Sequence, residues 1–336
     1  MKNVLIDMNV EPASWEYLKS IPRVNLRLVE PKDEIRPLPE EVVRDVHILF
    51  CTYPVENFSD MKSVELIQIS SAGYSQLYEL GLSQLGVRAC NSQGVFDVPI
   101  AEWNLAMMVN MARDLRQMIR NQEAGTWDRS EVFQREIRGL KVGIWGYGGI
   151  GRETARLAKA LGLVVHVMTL RGISPRVDTY RVEGTGDPEG VLPDRVFVAG
   201  QELEFLADLD FLILSMPLSK TTEGIVGERE LKALPRTAFV LNPARGPLIK
   251  EEFLLRALRE GWIAGAALDT HYHYPLPAEH PLWKYPNVII TPHISGSGLS
   301  PHTLERCWAI FVQNVERYMH GQKLLNELTP TQLSGA

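Results

Sequence analysis

The amino-acid sequence predicts an α/β protein with parallel sheets, and two observations support this prediction. Short runs of strand-forming residues alternate with helical segments along most of the chain, which indicates parallel strands with helices on the sheet faces. The runs also fall into two series, one before and one after a long helical segment. A chain of 336 residues has room for about two domains, so each series is expected to form its own sheet.

The first series ends just before a long helical pattern. Its predicted strands and helices are Val4–Ile6, Ser14–Ser20, Leu26–Val29, Glu40–Val46, His47–Cys51, Leu66–Ser70 and Val87–Cys90. Apolar residues at helical spacing then extend from Ile100 to Asn121. Pro99 suits the first turn of a helix and Asp97 can cap it. One long helix is therefore predicted here, as the first connection between the domains.

The second series consists of almost continuously apolar runs, as expected of strands buried on both faces. Its predicted strands are Val142–Trp145, Val164–Thr169, Phe211–Met216, Phe239–Asn242, Ala266–Asp269 and Val288–Thr291. Its predicted helices are Arg152–Leu161, Glu228–Leu234 and Lys250–Glu260. The stretch from Gly172 to Gly200 lacks either pattern and is predicted as a long loop. A last helical pattern, from Pro301 to about His320, is expected to return the chain to the first domain.

The composition excludes several classes of function. Lys and Arg total 35 against 41 Asp and Glu, and the net charge of −6 argues against a dedicated nucleic-acid binder. No run approaches the roughly 20 apolar residues of a membrane span, and the first residues lack the apolar core of a secretory signal. Cys51, Cys90 and Cys307 lie far apart, which suits a reducing cytoplasm.

A glycine-rich motif follows the first strand of the second series. Gly146, Gly148 and Gly151 have the spacing G-x-G-x-x-G between a predicted strand and a predicted helix, which is the context that dinucleotide binding requires. The first glycine permits a tight turn, the second lets the backbone approach a pyrophosphate, and the third lets helix and strand pack closely. The helix N-terminus offers N–H groups to the phosphates. We therefore expect cofactor contacts from the whole motif, Gly146-Tyr147-Gly148-Gly149-Ile150-Gly151.

The end of the next strand indicates which dinucleotide binds. An acidic residue usually stands there, about 20 residues after the motif, and binds the ribose hydroxyls of NAD. Here that position is Thr169, and Arg171 and Arg176 follow it. A neutral residue followed by arginines suits a 2′-phosphate, so NADP is favoured over NAD. The alternative is that both arginines are solvated loop charges.

Arg245, Asp269 and His293 follow strands of the second series, where open α/β sheets bind their ligands. Reduction of a 2-keto acid by hydride transfer needs a cation for the carboxylate and the developing alkoxide, and the guanidinium of Arg245 suits that task. It also needs a proton donor with a pKa near neutrality, for which His293 is suited. Taken singly, each has a simpler interpretation, a surface arginine or a histidine bonded to backbone.

Several motifs, in order along nearly the whole chain, resemble the D-isomer-specific 2-hydroxyacid dehydrogenase family. They are GYGGIG at Gly146–Gly151, LSMPLSKTTEG at Leu214–Gly224, FVLNPARGPLIKEEFLLRAL at Phe239–Leu258, GAALD at Gly265–Asp269, and PLPAEHPLW with PNVIITPHISG between Pro275 and Gly296. The resemblance implies that Arg245 binds the substrate carboxylate and carbonyl and that His293 is the general acid and base. It also implies that the backbone of Ser71-Ala72-Gly73 holds the carboxylate. The nicotinamide half of the cofactor would be lined by Met216, Pro217, Pro243, Ala244 and Asp269.

The resemblance further implies the domain layout. A Rossmann-type doubly wound cofactor domain, residues 99–295, would be inserted into a flavodoxin-like α/β substrate domain formed by residues 1–98 and 296–336. The small-molecule partner would be a 2-keto or 2-hydroxy acid, and the protein would be a cytoplasmic homodimer. Neither a nucleic acid nor a membrane is expected as a partner.

One departure from the family pattern concerns the catalytic histidine. The family places a glutamate paired with that histidine just before Pro-Leu-Pro, and here the position is Tyr274. A carboxylate would raise the pKa of the imidazole, whereas a phenol can only hydrogen-bond it, so a lower pKa is expected for His293. Glu279 is a weak substitute for the missing carboxylate. His271 and His273 are expected to flank the site or form a polar cluster, and no metal site is expected because no third ligand accompanies them.

Two classes of function follow from these observations. The first is an NAD(P)-dependent oxidoreductase acting on a 2-hydroxy or 2-keto acid, since both Arg245 and His293 are present. The alternative is a catalytically weak NAD(P)-binding sensor, similar to dehydrogenase-like corepressors, because the glutamate is absent. Turnover of keto acids distinguishes the two.

Overall fold

The computed structural model describes residues 1–32, 34–131, 134–176 and 179–334. The chain divides into two compact units. The first comprises Met1–Phe96, a short segment that includes Tyr180, and the C-terminal segment from Gly298. The second comprises Asp97–Arg176 and Glu183–Ser297. The membership of the segment around Tyr180 in the unit of the chain ends was not predicted from the sequence.

The first unit contains a sheet of five parallel strands, in the order β2-β1-β3-β4-β5. Elements are numbered along the chain, and the strands are β1 (Lys2–Asp7), β2 (Val24–Leu28), β3 (Ile48–Cys51), β4 (Leu66–Ile69) and β5 (Arg88–Cys90). The α-helices of this unit are α1 (Pro12–Ser20), α2 (Glu40–Val43), α3 (Leu82–Leu85), α10 (Pro301–Met319) and α11 (Pro330–Leu333). This strand order is that of flavodoxin-like sheets.

Helix α10 contributes to the core of the first unit. Trp308 and Phe311 on this helix are completely buried. The ring of Phe311 stacks on that of Phe50 in β3 with centroids 4.2 Å apart, and Trp308 meets Phe50 edge-on at 5.5 Å. The last long helix therefore packs on the sheet formed by the first part of the chain.

The second unit contains a sheet of seven parallel strands, in the order β12-β11-β10-β9-β6-β7-β8. The strands are β6 (Lys141–Trp145), β7 (Val164–Thr169), β8 (Arg195–Val198), β9 (Phe211–Leu214), β10 (Phe239–Asn242), β11 (Gly265–Leu268) and β12 (Val288–Ile290). The α-helices are α4 (Asp97–Ala112), α5 (Leu115–Glu123), α6 (Gly149–Ala160), α7 (Glu202–Leu206), α8 (Glu228–Ala233) and α9 (Glu251–Glu260). The strand order reverses between β6 and β9, as in Rossmann folds. The predicted α/β fold class is confirmed.

The prediction of one loop from Gly172 to Gly200 is wrong at its end, because β8 lies within it. This edge strand pairs with β7 only, through Arg195–Val198. Phe197 is buried, whereas Arg195 and Val196 are exposed, so the short apolar run Val196-Phe197-Val198 lacks the full burial of the interior strands. Edge strands of this kind are short and carry charged side chains.

The single helix predicted from Ile100 to Asn121 is also wrong, because two helices occupy this stretch. Helix α4 ends at Ala112 and α5 begins at Leu115. Asp114 stands between them with a φ of 43°, a left-handed backbone conformation that stops α4. Its carboxylate accepts a hydrogen bond from the amide of Gln117 at 3.3 Å and so caps α5. Apolar spacing alone did not reveal this cap.

Candidate functional site

The glycine motif forms the tight turn from β6 into α6. Gly146 has a φ of 102°, and a Cβ atom there would lie 2.8 Å from the backbone of Ser215. A Cβ atom on Gly151 would lie 2.4 Å from the carbonyl oxygen of Gly146. A Cβ atom on Gly148, by contrast, would meet no atom within 4 Å. The first and third glycines are therefore required by packing, while the second leaves open space beside the backbone, as a pyrophosphate requires.

A cavity of about 330 Å³ lies beside the glycine motif, at the carboxyl ends of β6 and β7. Its lining includes Thr169, the residue that replaces the usual acid, and two arginines, Arg152 and Arg176. The complete lining is Gly146, Tyr147, Gly148, Arg152, Thr169, Leu170, Gly172, Ile173, Ser174 and Arg176. Arg171 is exposed and is not part of this lining, so its predicted contact with a 2′-phosphate remains a prediction.

Arg176 is held over the start of α6. Its Nη1 lies 3.7 Å from a carboxylate oxygen of Asp97. Both groups occupy the space that a Cβ atom on Gly149 would need. Its Nη2 is buried and has no hydrogen-bond partner within the described residues. A buried guanidinium N–H group beside a cavity fits an anionic ligand, because such a group is costly to leave unpaired.

Hydrogen bonds join the segment after β7 to the glycine motif. The hydroxyl of Tyr147 donates to the carboxylate of Asp187 at 2.6 Å, and that carboxylate also accepts from the amides of Val191 and Leu192 at 3.0 Å each. Arg152 donates to the carbonyl oxygen of Ser174 at 2.6 Å. The segment is thus fixed against the candidate cofactor site. Its irregular sequence gave no indication of these contacts.

Asn242, at the end of β10, shapes the loop that carries Arg245. Its side-chain oxygen accepts from the amides of Ala244 and Arg245 at 3.1 and 3.3 Å, and its amide nitrogen donates to the carbonyl oxygen of Arg245 at 2.8 Å. The guanidinium of Arg245 donates to the carbonyl oxygen of Ala244 at 2.6 Å. Sequence reasoning missed this role of Asn242, although Asn is a residue type whose side chain often forms turns by bonding the backbone amide two residues on.

Asp269, after β11, holds the loop that carries His293. One carboxylate oxygen accepts from the hydroxyl of Thr291 at 2.5 Å and from the amide of Ile294 at 2.9 Å, and the other accepts from the amide of Ser295 at 3.0 Å. The residue is 0% exposed. Its predicted place beside the nicotinamide stays a prediction, whereas its contacts give it a structural role that the sequence did not suggest.

The second unit brings Arg245, Asp269 and His293 to the ends of three neighbouring strands, β10, β11 and β12. Partial burial of the imidazole and the positive charge of Arg245 lower the pKa of His293 below its ordinary value. Asp269 opposes this shift, and His271 adds to it. Glu279 is exposed, and its part as a weak substitute for the missing glutamate stays a prediction.

Tyr274 lies against the catalytic histidine candidate. The centroids of its ring and of the His293 imidazole are 5.6 Å apart, and the two planes are tilted by 59°. Tyr274 is 59% exposed, and its hydroxyl accepts a hydrogen bond from the backbone amide of His271 at 3.3 Å. The residue at the family's glutamate position therefore contacts the imidazole through its ring.

The predicted substrate-binding segment Ser71-Ala72-Gly73 follows β4 in the first unit. All three of its carbonyl oxygens accept hydrogen bonds, from the amide of Ser92 at 2.9 Å, the side chain of Asn91 at 2.7 Å and the hydroxyl of Ser71 at 2.7 Å. With its acceptors occupied, this loop suits an anion bound through N–H groups.

The described residues also bear on metal sites and membrane spans. No three or more His, Cys, Asp or Glu side chains of the described residues lie together as metal ligands would. No helix in the described part of the chain has the length and apolar character needed to cross a membrane. Met216, Pro217, Pro243 and Ala244 lie in the loops after β9 and β10, on the same sheet edge as the glycine motif, and their contact with a nicotinamide stays a prediction.

The doubly wound sheet and the glycine motif define a dinucleotide-binding protein. Residues 105–295 match the family model described as D-isomer specific 2-hydroxyacid dehydrogenase, NAD binding domain. That match covers more than half of the chain. The protein therefore belongs to the D-isomer-specific 2-hydroxyacid dehydrogenase family.

Relatives and solved structures agree with this assignment. A glyoxylate reductase of Thermococcus gammatolerans is 31% identical over 284 residues, covering 80% of this chain and 80% of the relative. A D-isomer specific 2-hydroxyacid dehydrogenase of Xanthobacter autotrophicus Py2, solved in complex with NADPH and MES, is 25% identical with a TM-score of 0.75, and 98% of this chain matches 99% of that one. A family member of Aeromonas salmonicida has the same fold, with a TM-score of 0.79 at 23% identity over 98% and 99% of the two chains.

Proposed function

We propose that this protein is an NAD(P)-dependent D-2-hydroxyacid dehydrogenase that reduces a small 2-keto acid. One observation carries the proposal: Arg245 and His293 follow neighbouring parts of one sheet edge and lie close enough for the arginine to lower the pKa of the histidine. A guanidinium and an imidazole at this edge provide an anion-binding group and a proton donor. The relative named glyoxylate reductase supports a small keto acid as substrate.

The residues of this chain would divide the reaction between them. Arg245 binds the substrate carboxylate and stabilises negative charge on the carbonyl oxygen, as guanidinium groups do in other anion sites. In the reduction, protonated His293 gives its proton to that oxygen, and in the oxidation neutral His293 removes it. The bound nicotinamide cofactor supplies the hydride for the reduction. The amides of Ser71-Ala72-Gly73 would hold the carboxylate, and membership of the family supports D-stereospecificity.

The cofactor residues favour NADP over NAD. Thr169 carries no charge to repel a 2′-phosphate, and Arg152 and Arg176 line the adjacent cavity. The glycine motif would hold the pyrophosphate, with Arg171 at the exposed rim for the 2′-phosphate. The solved relative from Xanthobacter autotrophicus Py2 was obtained with NADPH, which supports the same preference.

The assembly and location are part of the proposal. Members of the family pair through their cofactor domains, so we propose a homodimer, which light scattering of the purified protein will test. The free cysteines Cys51, Cys90 and Cys307 are all buried in the described structure, and this suits the reducing cytoplasm.

The proposal is tested by following NADPH and NADH absorbance with glyoxylate, hydroxypyruvate and bulkier keto acids. His293→Asn should lower kcat by about 100-fold or more, since general acid catalysis contributes that much. Asn tolerates the φ of 57° at this position, so the variant should fold. His273→Asn is the matched control, because His273 is exposed in a nearby loop. Intact NADPH binding without turnover of any keto acid would instead support the sensor alternative.

A further inference from the structure

His271 is a buried histidine that the proposed mechanism does not use. It is 5% exposed and stands two residues after Asp269. Its Nε2 lies 2.8 Å from the carbonyl oxygen of Thr291, and because a carbonyl oxygen only accepts, Nε2 must carry a proton. Its Nδ1 is buried without a hydrogen-bond partner in the described part of the chain. A buried imidazole with one fixed nitrogen and one unpartnered nitrogen calls for an explanation.

Its first link to the candidate active site runs through Thr291. The carbonyl oxygen of Thr291 accepts from His271, and its hydroxyl donates to Asp269. Thr291 stands two residues before His293, at the start of the loop that Asp269 also holds through the Ile294 amide. The start of this loop is thus fixed from two sides, by a carboxylate and by an imidazole.

Its second link runs through Tyr274. The backbone amide of His271 donates to the hydroxyl of Tyr274 at 3.3 Å, and the centroids of the two rings are 6.4 Å apart. The same Tyr274 ring lies 5.6 Å from the imidazole of His293. Tyr274 therefore contacts His271 through its hydroxyl and its ring, and it contacts His293 through its ring.

We propose that His271 is a positioning residue for His293, acting through Thr291 and Tyr274, and that it takes over part of the role of the family's glutamate. The inference rests on the proposed function only for the catalytic role of His293. A glutamate would orient the imidazole by a direct bond, whereas His271 orients the loop behind it and the aromatic ring beside it.

A histidine that acts in place of the family's glutamate also changes the charge near His293. The described charged and titratable groups that shift the pKa of His293 are Arg245, Asp269 and His271, and the ring of Tyr274 lies beside the imidazole. Positive charge on His271 disfavours positive charge on His293, as Arg245 also does. Removal of His271 is therefore expected to raise the pKa of His293, even though the imidazole is then held less well.

Two variants separate the hydrogen bond from the charge. His271→Gln keeps an N–H donor for the carbonyl oxygen of Thr291 but carries no charge, and His271→Leu removes both. His273→Leu and His273→Gln are matched controls, because His273 is exposed in the same loop, whereas His271 is buried. His271→Leu should lower kcat by about 10-fold or more, since displacement of a catalytic group has effects of this size. His271→Gln should recover most of kcat.

The pH dependence gives the second readout. Reduction needs protonated His293, so its rate falls as pH rises through the pKa of that group. In both His271 variants this fall should occur at higher pH than in the wild-type enzyme, and the KM for NADPH should stay unchanged. The His273 variants should match the wild type in kcat and in pH profile.

Titration of the His293 imidazole by NMR, on protein labelled with ¹⁵N-histidine, tests the inference without turnover. Different titration curves of His293 in His271→Leu and His271→Gln, which both lack the charge and differ in the hydrogen bond to Thr291, support the inference even if no keto acid is reduced, in which case only the proposed function fails. Identical titration curves of His293 in the two variants overturn it. Equal kcat values for His271→Leu and His273→Leu also overturn it, as does an equal loss in His271→Gln and His271→Leu.

Discussion

The backbone amide of His293 donates a hydrogen bond to the carbonyl oxygen of Asp269 at 2.8 Å. The Asp269 carboxylate then bonds the amides of Ile294 and Ser295, so one buried residue holds the catalytic histidine candidate and the two residues after it. His293 itself has a φ of 57°, a left-handed conformation that is uncommon for residues other than Gly, although Asn, Asp and His adopt it more often than most, and that neighbouring bonds can hold. Asp269 supplies those bonds.

Substitution Asp269→Asn should damage both stability and catalysis. The amide has one acceptor where the carboxylate has two, so at least one buried N–H group loses its partner, at a cost of about 1–3 kcal/mol. The His293 loop then loosens, and kcat for keto-acid reduction should fall by about 10-fold or more. Urea denaturation and steady-state kinetics measure the two effects.

The control is Glu279→Gln, which removes an exposed carboxylate and should change neither the stability nor kcat. An Asp269→Asn enzyme with wild-type kcat would contradict the role of Asp269 in holding the His293 loop.

The pH dependence of reduction should respond to position 274. The pKa of His293 lies below its ordinary value, so protonated His293, and with it the reduction rate, is lost at a lower pH than for an ordinary imidazole. Tyr274→Glu places a carboxylate beside the imidazole, which favours the charged form and raises its pKa. The fall of the rate should therefore move to higher pH. Tyr274→Gln, of the same size without the charge, should leave the profile in place; identical profiles for the Glu and Gln variants would show that position 274 is not coupled to His293.

The strands that build the site were predictable because they are buried on both faces. β9 and β11 are buried throughout, and such strands appear in the sequence as short apolar runs with turn residues after them. Arg245 and His293 could be picked out for the same reason, since each follows such a run. Strand β8 was missed because its apolar run, Val196-Phe197-Val198, is short and lies at the sheet edge, where Arg195 and Val196 are exposed.

The supporting contacts of the site were beyond prediction from the sequence. Asn242 and His271 act through bonds to backbone atoms far along the chain or around a turn, and such bonds depend on the folded geometry. Their residue types alone are consistent with many other roles. The arginines of the cofactor site show the same limit, since Arg176 lines the cavity whereas Arg171, nearer to Thr169 in sequence, does not.

The cofactor preference should be reversed at position 169. The hydroxyl of Thr169 accepts a hydrogen bond from the amide of Gly172 at 2.9 Å, and an aspartate can accept the same bond. Thr169→Asp therefore keeps the loop while adding a charge that repels a 2′-phosphate and can bind ribose hydroxyls. The ratio of kcat/KM for NADPH to that for NADH should fall by about 10-fold or more. Repulsion between two negative charges placed next to each other, the carboxylate and the 2′-phosphate, has effects of this size. Thr169→Asn keeps the acceptor without the charge and should change the ratio much less. An unchanged ratio in Thr169→Asp would show that no 2′-phosphate binds at this strand end.

Two glycines of the motif should give opposite outcomes when replaced by alanine. At Gly151 the new methyl group would lie 2.4 Å from the carbonyl oxygen of Gly146, so Gly151→Ala should lower the free energy of unfolding by about 1–3 kcal/mol. At Gly148 it would meet no protein atom within 4 Å, and φ is −79°, so Gly148→Ala should be as stable as the wild type within about 0.5 kcal/mol.

That open space is where the backbone should approach the pyrophosphate, so the methyl group of Gly148→Ala should instead weaken cofactor binding. We expect the Kd for NADPH to rise by about 10-fold or more, because the methyl group would keep the pyrophosphate away from the backbone. A 10-fold rise corresponds to about 1.4 kcal/mol of lost binding free energy. Fluorescence titration with NADPH and thermal unfolding without cofactor measure the two properties separately. A Gly148→Ala protein that binds NADPH like the wild type would show that the pyrophosphate lies elsewhere, whereas a loss of stability would show that packing also requires this glycine.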